Sequence, residues 1–249
     1  MDEYADQLLA ILLVSFRVAP ALAFAPPFTY LRTPAVVRML LSLGLAAWIV
    51  VSSPEQTTLQ VGAHLVPAAI SELFLGVALA LCLQLAFGAI LMAGRTIDFQ
   101  VGFGLAVLAD PTLRTQMPLI GTLFAYAAGM VFFSTTGPAD FLAIWASSIE
   151  RIPIGTYAAG AGLSPLLEYI SAVFLMAFGL AGIVLLTLFL IDLAIAFMSR
   201  TLPQMNVLIL GFQVKTIALL TTLPFVFALS GALFLRIVRL AIDSTSRLI

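Results

Sequence analysis

Charge is what this sequence has least of. Only 9% of its 249 residues are Asp, Glu, Lys or Arg, against about 25% in soluble chains. A soluble fold needs polar side chains to cover it, and here 62% of residues are hydrophobic, so the soluble globular class is excluded. Disorder is excluded too, because it requires low hydrophobicity. The 11 basic and 12 acidic residues leave a net charge of -1. That balance offers no basic field for nucleic acid.

Cysteine and histidine are scarcer still, with one of each. Cys82 is the only cysteine, which excludes an intrachain disulfide and a CxxC site. Inside an apolar run it reads as a small buried hydrophobe. His64 is the only histidine, in a loop-like stretch with no activating partner nearby. Zinc and haem sites usually draw on several such ligands, so no metal and no cofactor is expected. HExxH, GxSxG and P-loop motifs are missing. Val101-Gly102-Phe103-Gly104-Leu105 follows no strand and is no dinucleotide fingerprint. No catalytic residue is assigned, and the chain is not read as an enzyme.

What is present is apolar length, and the mean hydropathy is +1.16. Six charge-poor segments stand out: 7–24 (broken by Arg17), 39–51, 73–94, 115–139, 169–191 and 216–235. A spanning helix needs about 20 apolar residues, and helix is forced because unpaired backbone groups cannot face lipid. The segment at 39–51 is short unless it borrows Val36 and Val37. The expected fold is all-α, an integral membrane protein of about six long apolar helices in a single domain over 1–249. Pro26-Pro27 should end the first segment, Thr136-Gly137-Pro138 the fourth, and Pro224 should kink the last. The opening Asp2, Glu3 and Asp6 reverse the positive start of a cleavable signal peptide, so this segment is expected to stay.

Residues 139–151 place Phe141, Leu142, Trp145 and Ile149 on one side and Asp140, Ser147, Glu150 and Arg151 elsewhere. That is an amphipathic connector helix, resting on a membrane surface, a neighbour or the chain's own helices. Gly121, Ala125 and Gly129 share a face that admits a closely packed helix. Loop charges alternate by the positive-inside rule until the basic tail of Arg236, Arg239 and Arg247, which falls on the wrong side of a six-span arrangement. Either the last segment turns back near Pro224, or some segments do not span.

Arg17, Asp192 and Lys215 sit in or beside apolar segments. Charges there are costly and raise the possibility of transport; snorkelling or pairing at a subunit contact is the structural alternative. Glu72 and Glu168 lie near the expected helix starts, where a carboxylate favours the dipole.

Two stretches carry more. Residues 94–111 begin Gly-Arg-Thr-Ile-Asp-Phe-Gln-Val-Gly-Phe. Arg95 and Asp98 are three apart and can pair on one face. Gly102 and Gly104 then loosen the backbone, and Asp110-Pro111 restarts a helix. The result is a glycine-hinged apolar loop or a plain buried connector. Residues 200–215 read Arg-Thr-Leu-Pro-Gln-Met-Asn-Val-Leu-Ile-Leu-Gly-Phe-Gln-Val-Lys. Pro203 blocks helix continuation, Gln204 and Asn206 supply amides at the turn, and Asn206 can cap the last segment.

Together, in this order, the two runs resemble the FliR family of flagellar type III export-gate subunits, and the likeness covers essentially the whole chain. A virulence secretion counterpart is similar. The resemblance implies a structural, pore-forming subunit in the bacterial inner membrane, at the flagellar basal body, that passes unfolded flagellar proteins. It implies FliP-like and FliQ-like partners in a helical hetero-oligomer, an FlhB-like subunit at the entrance, and contact with membrane lipid. It assigns Gly102, Phe103, Gly104, Leu105, Val107 and Leu108 to a pore-plugging loop. Leu105 and Leu108 stand where relatives often carry phenylalanine, which makes the seal less bulky. Gly94, Arg95, Asp98, Gln100, Pro203, Gln204, Asn206 and Lys215 become structural or subunit-contact positions. The competing reading is a stand-alone secondary transporter, which the dispersal of intramembrane charge disfavours.

Overall fold

A computed structural model describes residues 2–31, 33–53, 65–103, 118–157, 163–201 and 206–247. Among these, every regular element is helical. The order is α1 (Asp2–Phe24), a 3-10 turn (Phe28–Leu31), α2 (Ala35–Ser52), α3 (Leu65–Val101), α4 (Leu119–Ser134), α5 (Gly137–Arg151), α6 (Leu163–Thr201) and α7 (Val207–Arg247). Helix α1 stops just before Pro26-Pro27, where the missing donors forbid continuation. Five helices are long and apolar enough to cross a membrane, and six if α4 and α5, bent by 70°, count as one span. The break between α4 and α5 falls at Thr136-Gly137-Pro138, where the fourth segment was expected to end.

Helices α3, α6 and α7 have 37, 39 and 41 residues. At about 1.5 Å per residue each is nearly twice the hydrocarbon thickness of a bilayer. Helix α7 continues through Pro224, so the last segment does not turn back there. Of the two expected routes around the topology conflict, the turn at Pro224 is thereby excluded.

The described chain forms two compact units. The first comprises Met1–Phe87, Phe132–Ile170 and Val238–Ile249. In it α1 packs along α2, burying Leu13, Val14 and Val18 with Ile49 and Val50. Phe28 reaches Phe132 and Phe141 at ring distances of 5.7 and 6.1 Å, and Phe141 meets Trp145 edge-on at 4.8 Å. Such edge-to-face geometry matches the ring quadrupoles. Cys82 is buried, and the Tyr169 hydroxyl donates to its carbonyl.

The connector helix α5 belongs to this core. Phe141, Ile144, Trp145, Ser148 and Ile149 are buried, so its apolar face is spent within the chain. Leu142 lies beside that face and is only half-buried.

The second unit comprises Gly88–Val131 and Ser171–Ile237. Phe124 packs against Phe227 at 5.3 Å and Phe234 at 6.2 Å. Gly121, Ala125 and Gly129 are all buried. A methyl group on Gly94 would collide with the Gly121 backbone. Gly121, at the start of the small-residue face of α4, is thus packed against the chain's own α3.

Candidate functional site

The site is built at the C-terminal end of α3. Gly102 has φ of +105°, a value that L side chains rarely adopt. Its N–H donates to the Phe99 carbonyl at 3.2 Å, and the Phe103 N–H to the Asp98 carbonyl at 2.9 Å. These two bonds form a Schellman cap, which satisfies carbonyls left open at a helix end. Gly102 is required by this conformation. Phe103 then turns its ring edge toward Phe212 of α7, with centroids 6.2 Å apart.

The Asp98 carboxylate faces α4. Both of its oxygens lie 3.2 Å from the Ile120 N–H, where a helix start has unsatisfied donors and a positive dipole end. Asp98 is buried. The expected Arg95–Asp98 ion pair does not form. Arg95 is exposed and its guanidinium lies over the Phe99 ring, 5.5 Å from the centroid. The three-residue spacing permits a pair, but the orphan donors of α4 hold the carboxylate more directly.

One turn along, three helices of this unit are tied together. Lys215 Nζ lies 2.5 Å from Asp192 Oδ1. Gln100 Nε2 donates to Asp192 Oδ2 at 2.8 Å, and Lys215 Nζ donates to the Gln100 carbonyl at 3.1 Å. Gln100 comes from the first sequence run and Lys215 from the second. Asp192 of α6, absent from both runs, is what joins them. A charge on each of two apolar helices was the available signal, but 23 residues of sequence from 192 to 215 conceal the contact. Asn206 is exposed and its Oδ1 accepts from the Ile209 N–H at 3.4 Å, at the start of α7. Gly104, Leu105, Val107 and Leu108 of the expected plug lie outside the described residues, as do Pro203, Gln204 and His64.

A second polar centre lies in the first unit and was missed as a site. Arg17 and Glu72 are completely buried. Arg17 Nε donates to Glu72 Oε2 at 2.6 Å and Nη2 to Oε1 at 2.9 Å. The remaining Arg17 donors reach Ser148 Oγ and the Ile152 carbonyl, both at 3.0 Å, while the Gly155 N–H donates to Glu72 Oε1 at 2.9 Å. A bidentate, fully bonded pair is the arrangement that makes buried charge tolerable. Gly76 permits it: a methyl there would lie 2.6 Å from the Phe16 and Arg17 carbonyls. Glu72 is therefore no dipole partner at a helix start. Helix α3 begins at Leu65, and Glu72 sits two turns inside it.

Two internally neutralised charge centres, a glycine-capped helix end and apolar outer faces define a class: an all-helical membrane scaffold whose ionisable groups hold helices together. Comparison with known proteins sharpens this. The model of the bacterial export proteins, family 1, matches residues 8–241. The chain is 30% identical to the flagellar biosynthetic protein FliR of Bacillus subtilis, across 86% of this chain and 85% of that protein. To FliR of Aquifex aeolicus it is 28% identical, across 91% and 90%. To the secretion system apparatus protein SsaT of Salmonella typhimurium it is 27% identical, across 61% and 60%. The chain belongs to bacterial export protein family 1 and, within it, to the FliR family. It is a membrane component of the protein export apparatus, working with other export components.

Proposed function

We propose that this chain is a structural, pore-forming subunit of the flagellar type III protein export gate, seated in the bacterial inner membrane at the basal body. It helps conduct unfolded flagellar proteins, in a helical hetero-oligomer with FliP-like and FliQ-like subunits and an FlhB-like subunit. The observation that carries the reading is the clamp at Gln100, Asp192 and Lys215, which gathers both characteristic sequence runs directly before the Gly102 cap. A clamp there fixes the end of α3, from which the expected plug segment continues. In this reading residues 102–108 plug the pore, and the motif positions from Gly94 to Gln100 and from Pro203 to Lys215 brace it.

Large apolar side chains remain exposed along α6 and α7, among them Leu175, Phe197, Phe225 and Leu229. Partner helices and lipid are the surfaces that would cover them. The transporter reading loses ground because the carboxylates of Glu72 and Asp192, both within apolar helices, are each neutralised by a basic side chain of the same unit, which leaves neither of them free to carry a coupled ion.

The test is co-expression. With FliP-like and FliQ-like subunits the chain should enter one stable complex, and its deletion should stop secretion of flagellar proteins into the medium. A monodisperse chain without affinity for those subunits, or undiminished secretion, overturns the proposal.

A further inference from the structure

Arg95 has no hydrogen-bond or ion-pair partner among the described residues. It nevertheless sits on a helix long and apolar enough to cross a membrane. A guanidinium on such a surface that none of the described residues pairs is costly to leave alone, and its place marks a candidate contact with a neighbour. Its surroundings say what kind. Gly88, Met92, Arg95 and Phe99 are spaced by four, three and four residues, which puts them on one face of α3. All four are exposed, Met92 by 51% and Phe99 by 61%. A methyl group built on Gly88 meets nothing within 4 Å.

Each residue contributes something a helix interface needs. Gly88 leaves a notch where a second helix backbone can approach closely. Met92 adapts its shape to a neighbour. The Arg95 guanidinium lies over the Phe99 ring, a contact that favours this placement of its planar fork. Arginine, methionine and aromatic residues are the types enriched in protein interfaces. The face from Gly88 to Phe99 is roughly 16 Å long at 1.5 Å per residue, about three turns of a partner helix.

We propose that this face of α3 docks an apolar helix of a neighbouring export-gate subunit, and that the neighbour supplies a carboxylate which Arg95 binds through two parallel hydrogen bonds. The proposal rests on the export-gate reading above and adds the contact and its chemistry. A lipid phosphate is the other anion available in a membrane. Lipid headgroups are held by clusters of basic residues, whereas Arg95 is the only basic residue of α3 and Lys215 of the same unit is already paired with Asp192. The notch at Gly88 also fits a backbone better than a headgroup.

The experiment uses the complex co-expressed with FliP-like and FliQ-like subunits, captured through a tag on the FliP-like subunit. Recovery of this chain is measured relative to its total amount in the membrane. Arg95→Glu should lower recovery by about tenfold or more, as expected for an interface anchor, and Arg95→Lys should lower it less. Gly88→Leu should also lower it, although the side chain has open space within its own chain. If Arg95→Glu prevents accumulation, Gly88→Leu decides. Changing single carboxylates of the partner subunits to Arg should identify one that restores recovery of Arg95→Glu. Wild-type recovery for both Gly88→Leu and Arg95→Glu overturns the docking face. Wild-type recovery accompanied by loss of co-purified anionic phospholipid overturns it in favour of a lipid site. Failure of the unaltered chain to be captured at all condemns the export-gate reading itself, and so is distinguishable from failure of this face.

Discussion

Lys215 and Asp192 approach to 2.5 Å across two of the longest helices in the chain. The pair is partly exposed, with the Lys215 side chain 17% and Asp192 36% accessible, so its Coulomb energy is screened more than that of a fully buried pair. Its structural leverage is larger than its energy, because Asp192 also holds Gln100. Lys215→Ala should destabilise the second unit by about 1–2 kcal/mol, between the values for exposed and buried pairs. Exchanging the two residues should recover part of the loss. Thermal unfolding of the detergent-solubilised complex reads this, and an unchanged midpoint for Lys215→Ala would show that the pair holds nothing.

The Arg17–Glu72 pair should behave differently. Both side chains are fully buried, so removing one leaves the other without compensation. Arg17→Ala should cost about 3–5 kcal/mol and sharply reduce the amount of folded chain. Arg17→Met combined with Glu72→Leu should be much milder, because apolar side chains replace both charges. Comparing protease resistance in the membrane for the two single variants and the double checks this. A double variant as damaged as the singles would mean that the hydrogen bonds to Ser148, Ile152 and Gly155 carry the value.

Asp98 and Arg95 provide a contrast between neighbours. Asp98→Ala removes the acceptor at the start of α4 and should cost about 1–2 kcal/mol, the range for a lost helix cap. Arg95→Ala should leave the stability of the isolated chain within about 0.5 kcal/mol, as for ordinary exposed positions. Thermal unfolding of the chain without partners separates the two. Equal losses would restore the local ion pair.

The helices and their approximate number were legible because apolar length and lipid leave the backbone no other choice. The breaks at Pro26-Pro27 and around Gly137 were legible for the same local reason, the chemistry of proline and glycine. Partners of the charges were not. Arg17 finds Glu72 55 positions away and Lys215 finds the Gln100 carbonyl 115 away, and no spacing rule reaches that far. Helix α3 starts at Leu65, eight residues before the charge-free stretch, because Glu72 interrupts the apolar run in sequence without interrupting the helix; Pro67 is well placed in a first helical turn. The amphipathic pattern of α5 correctly marked a buried face but could not say against what. Asp98 shows the same limit: a carboxylate three residues from an arginine satisfies the local rule, while a helix start 22 residues away offers donors that the local rule ignores.

Gly94 makes a steric prediction with an internal control. Its added methyl would strike the Gly121 backbone, whereas Gly179 of α6 has nothing within 4 Å. Gly94→Ala must separate two helices whose backbones cannot yield, so a loss of about 1–3 kcal/mol is expected from overpacking. Gly179→Ala should be neutral or slightly stabilising, since alanine favours helix by about 1 kcal/mol over glycine. Unfolding midpoints of the two variants should therefore move in opposite directions or differ clearly. Equal tolerance would show that the contact between α3 and α4 is adjustable.

The last prediction concerns the loop that follows the Gly102 cap. If residues 102–108 plug the pore, their role is to exclude water with apolar bulk, since a narrow apolar constriction resists ions by dewetting. Replacing Leu105 and Leu108 together by glycine removes that bulk. The Schellman cap at Gly102 and the clamp at Gln100, Asp192 and Lys215 lie outside the substituted positions, so the helices that frame the loop should still form. The expected complex assembles at the normal level, conducts small ions and slows growth, while protein export is retained, because a passing polypeptide must displace the plug in any case. Ion conductance across membranes carrying the double variant is the measurement. Normal assembly with conductance no higher than the unaltered complex would place the seal on partner subunits and make this loop a connector. A leak without loss of export would locate the seal here and separate sealing from conduction.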